Sequence, residues 1–107
     1  MPLITIEYDN NEVLEPEIQE LSQAIQKIVS SATDIKDVFV YTNTAHIKVS
    51  IAPIEIFVRM SANKIKNEDD LVGEIKVKLK EWKVSVDFKH PINLTLIPMN
   101  WRIEIGI

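Results

Sequence analysis

The sequence predicts an α+β fold in which duplicated strand–helix–strand units form a four-stranded mixed sheet with two helices on one face. Three observations indicate this fold. Two amphipathic helical stripes stand far apart in the chain, segments of alternating apolar and polar residues flank each stripe, and the two halves repeat the same order of elements. Short edge strands are expected in addition. Residues 1–107 are expected to form one domain, since this length is ordinary for a single domain.

The first unit opens with a predicted strand over Leu3–Tyr8. Pro2 can stand at its start because proline has no N–H to contribute to a strand ladder. A helix is predicted after Pro16, which suits the first turn of a helix. Its apolar stripe has spacings of three and four residues and consists of Ile18, Leu21, Ile25, Ile28 and Ala32. Val38–Tyr41 is β-branched and aromatic, which is typical of a strand.

The second unit repeats this order. Ile54–Met60 alternates between apolar and polar residues and predicts a strand. Asn67 is a good helix N-cap, and the acidic residues after it favour a helix start. The stripe of this second helix consists of Leu71, Ile75, Leu79 and Trp82. Residues 84–91 are expected to form a linker, and Ile92–Ile97 is predicted to be a strand that Pro98 ends.

Two further segments alternate strictly and are predicted to be short strands, namely His46–Ile51 and Trp101–Ile107. Two strand–helix–strand units place both helices on one face of the sheet, and the opposite face is then uncovered. That face carries large aliphatic residues, and the terminal strand has nothing after it to cover it. Exposed apolar faces and edge strands normally find partners, so we expect a homo-oligomer.

Composition excludes several classes of function. Sixteen acidic residues against twelve basic ones argue against a nucleic-acid partner. No apolar run reaches the length needed to cross a membrane, and the first residues do not resemble a signal peptide, so a cytoplasmic protein is expected. There is no cysteine, and neither His46 nor His90 has a carboxylate or second histidine at ligand spacing. We therefore expect no metal and no cofactor.

The pair Met1-Pro2 carries the main chemical hypothesis. Methionine before a small residue is commonly removed, and the chain would then begin with the secondary amine of Pro2. Such an amine is a candidate general base or nucleophile. The alternative is that Pro2 only starts the strand and has no chemical role.

The Met1-Pro2-Leu3 opening, the duplicated units, the stretch Ser61–Ile65 and the stretch Pro98–Trp101 together resemble the tautomerase superfamily. The resemblance implies a homotrimer that acts on a small-molecule substrate. It also implies that Pro2 is the general base in keto–enol tautomerisation of a small carbonyl acid. By the same resemblance, Ala62 would present backbone groups to the substrate, while Lys36 and Lys64 would supply positive charge there. Arg102, a cation near the end of the sequence, could reach the pocket of a neighbouring subunit, or it could be a solvated edge charge that alternates with Glu104.

A second hypothesis is a non-catalytic oligomeric binding or scaffold protein with the same fold. Superfamily members that act on dicarboxylates carry an arginine soon after the first strand, whereas this chain has Asn10-Asn11-Glu12 there. Arg59 is one of the two arginines and is predicted to form a structural ion pair with Glu55 on the same strand face.

Overall fold

The computed structural model describes every residue from Met1 to Ile107. The strand–helix–strand order predicted for each half is confirmed. The elements are β1 (Leu3–Tyr8), α1 (Glu15–Thr33), β2 (Phe39–Asn43), β3 (Ile54–Ser61), a 3₁₀ turn at Ala62–Lys64, α2 (Glu68–Val86) and β4 (Asn93–Met99).

The four strands form one mixed sheet in the order β2-β1-β3-β4. Within each half the two strands are parallel, as a crossover through a helix requires. The halves meet where β1 pairs with β3 in the antiparallel sense. The start of β1 therefore lies beside the end of β3. This arrangement decides which residues meet at the two edges of the sheet where its strands begin and end.

The two halves also match in detail. Both helices contain 19 residues, and each is followed by an aspartate in the left-handed conformation, Asp34 at φ 56° and Asp87 at φ 57°. Aspartate is one of the few non-glycine residues that visit this region readily, so the same residue type ends both helices in the same way.

The core lies between the helices and one face of the sheet, as predicted. β1 and β3 alternate, and their inward side chains are buried while their outward side chains are more exposed. α1 buries four residues against this face: Ile18, Leu21, Ile25 and Val29. Ile28 was expected among them but is only partly buried at the margin of the core. α2 buries Ile75 and Leu79.

Two predicted boundaries are wrong. α2 continues through Val86, so the connection to β4 is shorter than the linker predicted over 84–91. Pro98 does not end the last strand but lies within β4, where it pairs in register with Met60. β4 is an edge strand, and its free side needs no N–H from Pro98.

The two short edge strands are absent from the sheet, and that part of the prediction is wrong for the isolated chain. Neither 46–51 nor 101–107 forms a strand. Alternation places side chains on two faces, but a strand also needs a neighbouring strand for its backbone hydrogen bonds. Neither segment has one within its own chain, and Ile47 and Val49 are 82% and 99% exposed. No helix in the structure is both long and apolar enough to span a membrane.

A polar contact fixes the start of α1 against the loop before β4. One Glu17 carboxylate oxygen accepts the backbone N–H of Leu14 at 3.0 Å, and the other lies 2.9 Å from Nε2 of His90. This partner of His90 was not predicted, since the two residues are 73 positions apart. The N–H of Leu14 and, after it, the His90 ring lower the pKa of Glu17.

The lowered pKa gives a pH-dependent prediction. A carboxylate with a lower pKa in the folded protein stabilises the fold above its ordinary value of 4.5, and this effect is lost as the pH falls through the folded-state pKa. Glu17→Gln should therefore lower the urea midpoint more at about pH 6 than at about pH 2. Glu20→Gln, on the exposed side of α1, is the matched control. Equal pH dependence in the two variants would contradict the assigned role of Glu17.

Candidate active site at the amino end of β1

Pro2 lies directly before β1, and less than 2% of its surface is exposed. Its carbonyl oxygen accepts the N–H of Phe39 at 3.1 Å, which ties it to the start of β2. On the other side, Leu3 pairs in register with Arg59 near the end of β3. Met1 is partly buried. The backbone nitrogen of Pro2 is thus held at a defined point on the edge of the sheet.

The topology brings most of the predicted site residues to this edge. Because β3 runs antiparallel to β1, the turn that contains Ala62 and Lys64 follows β3 at the same edge. Because β2 runs parallel to β1, Lys36 lies in the loop that enters β2 there. β4 ends at this edge too, since Met99 pairs with Ser61. These positions were predicted from the resemblance, and their placement at one edge follows from the strand directions.

The side chains at this edge differ in their availability. Ala62 is partly buried, whereas Lys36 and Lys64 are exposed. Four ion pairs form in the chain, and neither lysine takes part in one. Both ammonium groups are therefore free to meet an anionic ligand.

Arg102 is not brought into the site within the chain. Its Nε lies 3.5 Å from a carboxylate oxygen of Glu104, and the two side chains are 92% and 67% exposed. The residue before it is anchored, because the indole N–H of Trp101 donates to Oγ of Ser61 at 2.9 Å. This contact links the end of β4 to the end of β3 and was not predicted, since the two residues are 40 positions apart.

The prediction for Arg59 is wrong. Its guanidinium donates to Oγ1 of Thr5 at 3.3 Å and lies 5.5 Å from the centre of the Phe57 ring. It forms no ion pair with Glu55, which instead accepts a hydrogen bond from the side chain of Asn93 at 3.2 Å. The two residues share a face of β3, but they are four positions apart along an extended strand, about 13 Å.

The turn after β1 lies at the opposite edge of the sheet. There the Asp9 carboxylate accepts the N–H of Asn11 at 3.0 Å and Nζ of Lys48 at 3.1 Å. The N–H of Asn11 and then Lys48 lower the pKa of Asp9. The cation beside this turn is therefore Lys48, and it is already paired.

A cleft of about 390 Å³ lies at the same opposite edge. Its lining includes Glu7 and Glu55 together with residues of the segments 43–45 and 50–52. No group of three or more histidine, cysteine or carboxylate side chains is arranged to hold a metal ion.

Comparison with known proteins gives a structural match without a sequence match. No protein-family model matches the chain, and no curated protein does. Native fused 4-OT aligns with a TM-score of 0.69 at 15% identity, covering 97% of this chain and 92% of the other. 5-Carboxymethyl-2-hydroxymuconate delta-isomerase aligns with a TM-score of 0.66 at 12% identity, covering 99% and 89%.

The chain has the fold of the tautomerase superfamily. A third match, to malonate semialdehyde decarboxylase, has a TM-score of 0.67 at 10% identity and covers 98% of this chain and 92% of the other. The tautomerase-like fold thus extends over nearly the whole chain. At these identities the likeness concerns the fold, and the chemistry has to be argued from this chain's own residues.

Proposed function

We propose that the chain is a tautomerase or isomerase in which the amine of Pro2, freed by removal of Met1, is the general base. One observation carries this proposal. Pro2 is buried at the edge of a tautomerase-like sheet where the turn of Ala62 and the unpaired lysines Lys36 and Lys64 also lie. The proposed substrate is a small carbonyl acid.

The chemistry follows from the amine and its surroundings. An apolar pocket disfavours the charged form of an amine, so a pocket closed over Pro2 by a neighbouring subunit would leave part of the amine neutral near pH 7. The neutral nitrogen takes a proton from the enol hydroxyl, the electrons of the O–H bond form the carbonyl, and the enol double bond accepts the proton on carbon from the protonated amine. The proton count is unchanged, and no oxidant or reductant is needed. A general base of this kind is most effective when its pKa lies near the working pH.

The other residues have supporting roles. Negative charge develops on the substrate oxygen during proton transfer, and it is stabilised by N–H groups or cations placed against it. The backbone N–H groups of the turn at Ala62 suit this task. Lys36 and Lys64 suit the carboxylate of the substrate, because neither has an ion-pair partner in the chain.

Removal of Met1 is essential to this mechanism. With Met1 in place, the Pro2 nitrogen is a tertiary amide whose lone pair is delocalised into the carbonyl, and it cannot accept the proton. Intact mass of the protein from its natural source is therefore the first measurement. The expected mass is that of the chain without Met1.

Covalent labelling then tests the nucleophilic amine. One structural neighbour, Pt0534, was crystallised after inactivation by 2-oxo-3-pentynoate and aligns with a TM-score of 0.61 at 11% identity, covering 99% of this chain and 93% of the other. The same probe should add once to this protein. The Pro2 nitrogen bonds to one carbon of the triple bond, one π bond breaks, and the N–H proton ends on the neighbouring carbon. The adduct should lie in the tryptic peptide that ends at Lys27. A chain extended before Met1 is the control and should not react there. Retained Met1, or label only on lysines, would refute the proposal.

The second candidate is a non-catalytic oligomeric binding or scaffold protein. It is favoured by the turn after β1, where no arginine is present and Lys48 is already bound to Asp9. This candidate predicts an intact chain that neither reacts with the probe at Pro2 nor converts an enol substrate.

The proposed assembly is a homotrimer held through the uncovered sheet face and the segment 101–107. That face leaves Phe39 and Tyr41 45% and 57% exposed, and Ile105 is 76% exposed. Each aliphatic side chain fully buried at an interface contributes ~1.5–3 kcal/mol. Among the structural matches is an asymmetric trimer of fused 4-OT, with a TM-score of 0.67 at 14% identity.

Sedimentation tests the assembly directly. The intact chain is expected to sediment as a trimer at micromolar concentration. Deletion of 101–107 should produce monomers or aggregates and abolish enol conversion together, because a neighbouring subunit would complete the pocket. A well-folded monomer of the intact chain would rule out the trimer.

A further inference from the structure

The uncovered face of the sheet has its charges separated along the strands. The strand register arranges its outward side chains in three rows across the sheet. The row nearest Pro2 is Phe39, Leu3, Arg59 and Ile97; the middle row is Tyr41, Thr5, Phe57 and Thr95; the far row is Asn43, Glu7, Glu55 and Asn93. One cation thus lies at one end, two carboxylates lie about 13 Å away, and aromatic side chains lie between them.

Arg59 has no counter-charge in its own chain. It is partly buried, and its contacts are the Thr5 hydroxyl and the face of the Phe57 ring. None of the four ion pairs in the chain includes it. If another subunit covers the apolar part of this face, Arg59 loses water. Burying a charge without a partner is costly, so the covering surface must bring a carboxylate.

Glu7 and Glu55 have no positively charged partner in their own chain. They are directly opposite each other across β1 and β3, and like charges in this position destabilise a strand pair. Asn93 donates a hydrogen bond to Glu55, but the amide group of Asn93 carries no charge and does not neutralise the carboxylate. Both carboxylates line the 390 Å³ cleft, which has room for a guanidinium group.

We propose that in the assembled protein Arg59 of each copy enters the cleft of the next copy and pairs with Glu7 and Glu55. This inference rests on the proposed trimer and specifies how its subunits meet. A closed three-fold ring uses heterologous contacts, in which one patch of a subunit meets a different patch of its neighbour. The uncovered face carries two such patches of opposite charge. The pairing gives Arg59 its counter-ion, relieves the repulsion between the two glutamates and turns the aromatic row towards the interface.

Charge reversal is the test, read by sedimentation at several concentrations. Arg59→Glu alone, and Glu7→Arg with Glu55→Arg, should each raise the concentration for half-dissociation by at least about 100-fold, since breaking a desolvated pair leaves unpaired charges. The chain that carries all three substitutions should assemble again, because the charges are exchanged. Lys76→Glu and Glu20→Arg, on exposed helix positions, are the matched controls and should leave the trimer unchanged.

Mixing the two dissociated variants distinguishes ring closure from a two-fold dimer. In a two-fold dimer that contains one copy of each variant, both contacts join a negative patch to a positive patch. An equimolar mixture would therefore form stable dimers. In a three-fold ring of the two variants, at least one contact always joins like charges, so the mixture should not recover the trimer. Circular dichroism of each variant checks that it is folded.

The outcomes separate this inference from the proposed function. Unchanged assembly after charge reversal, or no recovery in the triply substituted chain when it is folded, would overturn the pairing while leaving the Pro2 chemistry intact. If the assembled wild-type protein does not react with the probe at Pro2, the proposed chemistry is overturned and the pairing is unaffected. Stable mixed dimers would replace the ring by a two-fold contact and contradict the proposal.

Discussion

Replacement of Pro2 by alanine should lower kcat/KM for tautomerisation of phenylenolpyruvate by at least about 100-fold, because a positioned general base contributes roughly 10²–10⁴-fold. Methionine is commonly removed before alanine as well, so the variant keeps an amine at the same position. It loses the ring that fixes the nitrogen at the edge of the sheet. The secondary amine becomes a primary one on a freely rotating residue, and its orientation towards the substrate is lost.

The matched control is Pro16→Ala at the start of α1. Pro16 is exposed and lies in the first turn of that helix, so this variant changes a proline without changing the amine. It should retain wild-type activity. A decrease of less than about threefold in the Pro2 variant would contradict the role of the amine.

Replacement of Leu21 by alanine should have the largest effect on stability. Leu21 is fully buried in the middle of α1 and belongs to the cluster between the helices and the sheet. Leucine-to-alanine changes in a packed core cost about 2–5 kcal/mol, from lost burial and from the cavity that remains. Domains of ordinary stability have about 5–15 kcal/mol in total, so a large share of the free energy of unfolding would be lost.

Urea denaturation at one fixed protein concentration measures this loss, since assembly makes stability depend on concentration. Gln19→Ala, exposed on the same helix, is the control and should change the free energy of unfolding by less than about 0.5 kcal/mol. Equal losses in the two variants would mean that α1 does not pack against the core as described.

The architecture could be predicted from the sequence because the local spacing of apolar residues shows which face of a helix or strand is buried. The apolar spacing of α1 and the alternation of β3 each identified the side that faces the core. Strand direction followed from the crossover helices. Parallel strands within the first half place Pro2 and Lys36 at the same edge. Ala62 reaches that edge because β3 runs antiparallel to β1, which the crossover helices do not determine. The roles of all three residues were suggested by the resemblance and not by the spacing.

Contacts between distant parts of the chain could not be predicted in this way. Glu17 and His90 are 73 positions apart, and Trp101 and Ser61 are 40 positions apart, so neither pair leaves a local pattern. Arg59 was assigned to Glu55 because the two share a strand face. Four positions along an extended strand place the two side chains too far apart for an ion pair. The Arg59 guanidinium lies over the Phe57 ring instead. The segments 46–51 and 101–107 alternate like strands, but pairing depends on a partner that the isolated chain does not provide.

The central claim is that Pro2 carries a free amine poised to accept a proton near neutral pH. Titration of the Pro2 nitrogen by ¹⁵N NMR, with labelled proline, measures this most directly. We expect a single titrating amine whose pKa is clearly below the ordinary α-amino value of about 8, because the apolar pocket proposed around it disfavours its charged form. An amide signal that does not titrate, or an amine that titrates at the ordinary value and is unaffected by small keto acids, would contradict the account.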